Sequence, residues 1–385
     1  MIVTRTPFRI TLGGGGTDLP SFYSKHGGFV LAMGIDKYMY VALNVPYADR
    51  KIRLHYTQSE TVDHIDDLRH ELAREALRHH GITDAIEIAS VADLPAGTGL
   101  GSSSCYLVGL LSAIRAYLQR PASMAEIAEE ACHIELDILD KPIGKQDQYM
   151  AAAGGLTELT IGRDGTVKIE RISLPNYSIA DFLANTHLYY THVQRTTTDI
   201  LGEQTRKLRA GPSEVEDNLL RIRDIGYEIA QAFRDAEFDR FGELMHQHWL
   251  AKKQLSGSVT VPSVERLYDY VRDEYGVLGG KVAGAGGGGF LMLYCPRDGK
   301  RLTKFMESQG MSRLTYGAEF EGSRVVTNLL NSRSIHYHLS HNPSATLDQP
   351  PPGSPNARQI EAEEHVSAEP LRIDAARSAE PQRLQ

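Results

Sequence analysis

The chain has 385 residues, 41% of them apolar and 23% charged, with a net charge of −8. That length exceeds one small core and favours two domains, and the ordinary apolar fraction describes a globular protein. The negative balance speaks against a nucleic-acid or membrane-surface binder, so an anionic ligand would have to be held by local groups.

Residues 1–12 read as a strand interrupted by Pro7. Four consecutive glycines, Gly13 to Gly16, then lead into Thr17 and Asp18. Such a run makes poor structure unless something must approach the backbone closely, although a hairpin linker is the plainer reading. Asp18 is placed either to cap a short helix over 19–25 or to accept hydroxyl hydrogen bonds from a sugar. Strands are expected over 34–45 and 51–56. The spacing of Leu68, Leu72, Ala73, Ala76 and Leu77 predicts an amphipathic helix over 68–80.

Residues 86–91 (IEIASV) alternate as a half-buried strand does. The sequence VADLPAGTGLGSSSCY follows, then an apolar helix over 107–118. A strand, a glycine loop and a helix start therefore meet at Gly97, Gly99, Gly101 and Ser102 to Ser104. Glycines admit an anion to the backbone amides, and a helix N-terminus favours negative charge. Serine hydroxyls can cap the helix, touch phosphate oxygens or reach a bound Mg²⁺. The simplest ligand is a polyphosphate; a structural turn with a serine cap is the alternative. No lysine follows Gly101, so this is not a Walker A loop. Ser102 stands where a dinucleotide fingerprint needs its third glycine.

A helix over 123–139 opens with a Ser123/Glu126 capping box. Pro142 and Gly144 interrupt the chain, a helix restarts near Gln146, and a strand pair spans 156–159 and 167–172. The first domain is expected over 1–175 and the second over 176–335. In the second, 187–191 is a strand, and 215–236, 240–254, 268–274 and 302–308 are helical. GGKVAGAGGGGFLMLY (279–294) gives a strand, another glycine loop and a strongly apolar strand, and 324–330 closes the fold. From about Asn331 the composition turns poor in apolar residues, with a proline cluster at 350–355, so 336–385 is expected to be a disordered tail. Cys105, Cys132 and Cys295 form no CxxC pair or disulfide ladder. With no signal-peptide pattern in MIVTRTPFRI and no apolar run of eighteen residues, a cytoplasmic location is expected.

Three constellations can do chemistry. Glu135 and Asp147 lie twelve positions apart, and the Pro142–Gly144 turn can fold one helix end against the next helix start. One carboxylate could then hold Mg²⁺ beside a serine hydroxyl while the other orients and deprotonates an attacking hydroxyl. Arg9 on the strand entering the first glycine run could steady a transferring phosphoryl group, or form a structural salt bridge. Arg195 with Thr196, Thr197 and Thr198 suits a phosphate monoester, or a threonine helix cap. His246 and His248, on different faces of one helix, make a poor metal clamp. His336, His338 and His341 give only a compositional hint.

Thr6 to Pro20, Leu94 to Cys105 (LPAGTGLGSSSC) and Lys281 to Phe290, in that order, resemble the three motifs of the galactokinase–homoserine kinase–mevalonate kinase–phosphomevalonate kinase (GHMP) superfamily. The resemblance implies a two-domain α+β fold, with an N-terminal half like ribosomal protein S5 domain 2 and a ferredoxin-like C-terminal half. It implies ATP with Mg²⁺ in a cleft, gripped by Pro95, Gly97, Gly99, Leu100, Gly101, Ser102, Ser103 and Ser104. Ser103 and Glu135 match the metal-binding serine and glutamate, Asp147 the aspartate near the acceptor hydroxyl, and Arg9 the first-motif arginine. Asp18 matches the sugar-binding aspartate of galactokinases. Gly14, Gly15, Gly16, Thr17, Arg195, Thr196, Gly286 and Gly287 complete the implied substrate site. Where galactokinases carry a Glu-His pair this chain has Gly15 and Gly16, which argues against galactose and leaves room for a bulkier acceptor.

TPFRITLGGGGTDLP, KVAGAGGGGF and QRTTTDIL together look most like the branch acting on D-glycero-D-manno-heptose 7-phosphate. Its members phosphorylate the anomeric hydroxyl to give the 1,7-bisphosphate, on the route to GDP-heptose for surface glycans. An enzyme of the superfamily acting on an unphosphorylated sugar such as fucose or a uronic acid, and a non-catalytic sensor of nucleotide or sugar, are the rival readings. Intact Glu135 and Asp147 argue against the sensor. The expected partner is a small sugar phosphate, not nucleic acid or membrane, with a homodimer possible. Lys37, in Gly-Ile-Asp-Lys-Tyr, has no assigned role.

Overall fold

Two sheets organise the chain. The computed structural model describes residues 1–193, 197–209, 214–257 and 259–330. The expected tail over 336–385 and the histidines at 336, 338 and 341 lie outside them. The elements in order are β1 (Ile2–Gly13), α1 (Pro20–His26), β2 (Gly28–Asn44), β3 (Ile52–His55), β4 (Ser59–Val62), α2 (Glu71–His79), β5 (Ile86–Ala92), α3 (Ser102–Tyr117), α4 (Met124–Cys132), α5 (Gln146–Ala153), β6 (Leu156–Ile161), β7 (Val167–Arg171), α6 (Asn176–Asn185), β8 (Thr186–Tyr190), α7 (Thr197–Arg209), α8 (Glu214–Arg234), α9 (Phe238–Lys253), α10 (Pro262–Tyr275), β9 (Gly279–Val282), β10 (Phe290–Tyr294), α11 (Gly299–Ser308), β11 (Arg313–Leu314) and β12 (Arg324–Asn328).

The first sheet runs β12-β1-β2-β5-β3-β4, with β6 also on β2 and β7 on β6. All its pairings are antiparallel except β3 with β5. The 17-residue β2 serves two partners along one edge, β6 through its first half and β5 through its second. Alternation predicts only its second half. Residues 28–35 are buried without a break, because α3, α5 and α8 pack against β1 and β2, and a doubly covered strand loses its polar face. A register shift puts Pro7 opposite Tyr38 but Phe8 opposite Ile35. Asp36 and Lys37 are therefore extra residues on β2, a bulge at the proline, which has no N–H to give. Lys37 Nζ turns onto Asp36 Oδ1 at 3.0 Å, and Asp36 Oδ1 accepts from Gly317 N.

The second sheet is antiparallel throughout, β11-β8-β10-β9. A separate apolar cluster gathers on it, including Trp249, Tyr268, Leu219 and Leu291, all about 1% exposed or less. The larger cluster joins the first sheet to α2–α5 and to part of α8 and α9. The division at residue 175 remains a proposal about folding units; β12, near the end of the described chain, returns to pair with β1. Among the described residues no helix is long and apolar enough to cross a membrane, and the three cysteines are buried thiols.

His187 on β8 is 2% exposed. Burial first, and the Arg313 charge second, push its imidazole down to about 4. An unfolded histidine takes its proton near pH ~6.5, so stability present above that pH is lost as pH falls toward 4. The loss is roughly 3 kcal/mol by linkage. Urea melts at pH 7 and pH 4 should show His187→Leu losing less stability than the wild type by about that amount; identical losses would contradict it.

Candidate active site

β5 leads into a loop whose three glycines take positive φ: Gly97 at 76°, Gly99 at 79° and Gly101 at 88°. Gly101 is the left-handed N-cap of α3, and Ser102, Ser103 and Ser104 form the first turn. The amides of that turn have no intrahelical partner. The loop lies back to back with the third glycine run. A Cβ on Gly99 would stand 2.9 Å from Ala283 O, and one on Gly289 only 2.3 Å from Thr98 O. Side chains at either place would force the two loops apart.

Below this loop is a cavity of about 210 Å³ lined by Arg9, Gly15, Gly16, Asp18, Gly97, Gly99, Gly101, Ser102–Ser104, Glu135, Lys141, Gln146, Asp147, Lys252, Gly284 and Ala285, among others. A second cavity, about 520 Å³, adjoins it through Lys141 and Ile143. Arg9, 3% exposed, donates Nε to Asp147 Oδ1 at 2.7 Å, holds Nη2 2.6 Å from the same oxygen, and donates Nη1 to Gly99 O at 2.7 Å. One guanidinium thus joins β1, the glycine loop and the first turn of α5. These are charge-assisted bonds in a fixed fork.

Glu135 is fully buried. Its helix does not run evenly to residue 139: α4 ends at Cys132 and His133–Ile138 widens into a π-helical turn. That turn, a device common at functional sites, accompanies the inward aim of Glu135. Oε1 accepts from Ser103 Oγ (3.1 Å), and Oε2 from Ser104 Oγ (2.9 Å) and Gln148 Nε2 (2.6 Å). Burial still raises its pKa above the usual carboxylate value, against the opposing pull of the Lys141 charge and those bonds. The capping box at Ser123 and Glu126 forms as the spacing predicts.

Asp18 does not cap α1, whose N-cap is Leu19 with no side-chain bond. Its Oδ2 instead accepts from Gln146 N and its Oδ1 from Gly16 N, both at 3.0 Å. It therefore fastens the glycine run to the start of α5, because Gly144 brings that chain within reach; a Cβ there would lie 1.9 Å from Asp18 Oδ2. Burial raises the Asp18 pKa and the nearby Asp147 charge adds to it, while the two amides oppose.

Other residues singled out in the sequence lie elsewhere. Gly14 packs on Phe29 and Val30, and Thr17 Oγ1 is spent on Gly14 O and Phe29 O. Pro95 is exposed with its carbonyl on Thr98, and Leu100 is buried in the core; neither lines the cavity. From the third loop, Gly284 and Ala285 reach it, whereas Gly286 and Gly287 are held against Val259. Arg195 and Thr196 lie outside the described residues, as do the side chains of Thr197 and Thr198. Gln146 and Gln148 escaped assignment although they flank Asp147 in Lys-Gln-Asp-Gln. Lys252 escaped because nothing along its helix marks it as buried.

Residues 68–155 match the GHMP kinases N terminal domain and residues 229–310 the GHMP kinases C terminal domain. The D-glycero-alpha-D-manno-heptose 7-phosphate kinase of Campylobacter jejuni is 28% identical over 305 residues, covering 76% of this chain and 89% of that protein. The L-fucokinase/L-fucose-1-P guanylyltransferase of Bacteroides fragilis is 27% identical over 344 residues, 78% of this chain but 35% of that longer protein. A crystal structure described as a D-glycero-D-manno-heptose 1-phosphate kinase from Bacteroides thetaiotaomicron superposes with a TM-score of 0.70 at 20% identity, over 86% of this chain and 100% of that one. That last likeness is one of fold.

Proposed function

We propose that this chain, which belongs to the GHMP kinases and is an ATP-dependent kinase, phosphorylates the anomeric hydroxyl of D-glycero-D-manno-heptose 7-phosphate. The product is the 1,7-bisphosphate, on the cytoplasmic route to GDP-heptose for surface glycans. The carrying observation is the likeness to the Campylobacter jejuni kinase along 89% of that protein's length. Gly15 and Gly16 at the cavity wall favour a bulky acceptor, and Arg195 with Thr196 would grip its existing phosphate.

In this reading the amides of Gly97–Ser104 and the mouth of α3 hold the nucleotide phosphates. Asp147 receives and orients the acceptor hydroxyl, and Arg9 holds Asp147 while facing the transferring group. Ser103 and Glu135 suit Mg²⁺: a hydroxyl and a carboxylate are hard oxygen ligands, and Glu135 is an acid whose burial calls for a cation. Mg²⁺ there would neutralise charge on the phosphate oxygens.

The Bacteroides fragilis likeness supports a second acceptor, L-fucose. ATP consumption by the purified chain, with heptose 7-phosphate, heptose, fucose and galactose in turn, separates the two. The heptose phosphate should exceed free heptose in kcat/KM by roughly 10³-fold or more, since a site built for a polar group rejects the analogue lacking it. Equal rates would remove the phosphate-binding role of Arg195, and a preference for fucose would replace the acceptor.

A further inference from the structure

Lys252 stands on α9 and is 5% exposed, yet it lines the same cavity as Arg9, Asp147 and the first turn of α3. Its Nζ donates to Val282 O at 3.1 Å and to Gly284 O at 2.5 Å, where β9 gives way to the third glycine loop. An ammonium has three N–H groups; the third has no acceptor among the described residues. Nor does any described carboxylate form an ion pair with it. The cavity's acids are engaged elsewhere: Asp147 by Arg9, Glu135 by Ser103, Ser104 and Gln148, Asp18 by two amides.

The groups around Lys252 carry or can carry positive charge. Arg9 approaches from β1, Lys281 from β9 (2% exposed) and His248 from one turn earlier on α9 (0% exposed). Buried charge without a counter-charge is costly. Arg9 is balanced by Asp147, and burial holds Lys281 and His248 well below their usual values. Lys252, facing the cavity with no acidic partner among the described residues, is the group placed for an anion that arrives later.

We propose that Lys252 is a phosphate-binding residue of the reaction, a second cation that joins Arg9 on the terminal phosphates of the bound nucleotide. The proposal rests on the reading of the chain as an ATP-dependent kinase. It carries a consequence that a purely structural lysine, fastening the glycine loop, would not. Burial, and then the Arg9 charge, lower Lys252 to about 7. At pH 8 the free protein therefore holds it largely as the amine. A polyphosphate beside it favours the ammonium, so nucleotide binding draws a proton from solvent.

Calorimetry of the full chain with MgATP at pH 8, in buffers of low and high ionisation enthalpy, reads that proton. The wild type should show an apparent enthalpy that changes with buffer, corresponding to uptake of about one proton per nucleotide. Lys252→Met should lose the buffer dependence and weaken binding by roughly 10-fold or more, the scale of one hydrogen bond to a charged group. Lys252→Arg, always charged, should recover affinity without the proton. Buffer-independent binding by the wild type overturns the proposal while leaving the kinase reading intact. So does a buffer dependence that survives in Lys252→Met, which would move the proton to Lys281 or His248. Absence of any MgATP binding overturns both.

Discussion

Replacing Asp147 with asparagine should lower kcat by roughly 10²- to 10⁴-fold, the range lost with a positioned base, while the Kd for ATP changes no more than a few-fold. Asp147 is the most accessible of the three cavity acids, and Arg9 takes only its Oδ1. It is 26% exposed at the first turn of α5, and Gly101 leaves it open from the loop side, where a Cβ would stand 3.5 Å from its carboxylate. Glu135 is fully buried and accepts three hydrogen bonds, and Asp18 accepts two backbone amides. Asparagine keeps the shape and one acceptor oxygen but takes no proton from an alcohol. Steady-state kinetics with calorimetric ATP binding checks this; undiminished turnover would remove Asp147 from the chemistry.

The loss on replacing Arg9 should be larger still. Arg9→Met is expected to cost roughly 10³- to 10⁵-fold in kcat, the scale of an arginine that meets transition-state charge. Methionine fills much of the volume and supplies none of the three short contacts to Asp147 and Gly99. It also strands a carboxylate that the arginine had balanced. Arg9→Lys should fall between, since lysine keeps the charge but not the fork. If the pair acts as a unit, Arg9→Met with Asp147→Asn will be far less harmful than the product of the two single losses. A strictly multiplicative double variant would separate their roles.

The strand–loop–helix at Gly97–Ser104 was legible because each of its parts is local: an alternating strand, glycines free to take positive φ, and a helix that starts on serines. The capping box and the restart of the helix at Gln146 were legible for the same reason. The Arg9–Asp147 contact was not, since it joins residues 138 apart and each is an ordinary surface-type residue in isolation. Of the two readings of Asp18, the helix cap fails because capping rules look forward along the chain, whereas Gly144 brings a distant helix start into reach. The π-helical turn under Glu135 leaves no mark in the spacing of apolar residues. Lys252 sits between Ala251 and Lys253 and reads as solvated; its burial comes from β9 and the third glycine loop.

The pairing of β12 with β1 has a consequence for biogenesis. β1 is synthesised well before its partner: the strand that covers its outer edge is made some 310 residues later. At typical elongation rates that edge waits on the order of 15–60 s. An unpaired edge is a template for the wrong partner, so a nascent chain stalled before Arg324 would carry an open seam. Synthesis of β12, rather than completion of any of the three glycine loops, then sets the moment at which the first sheet can close.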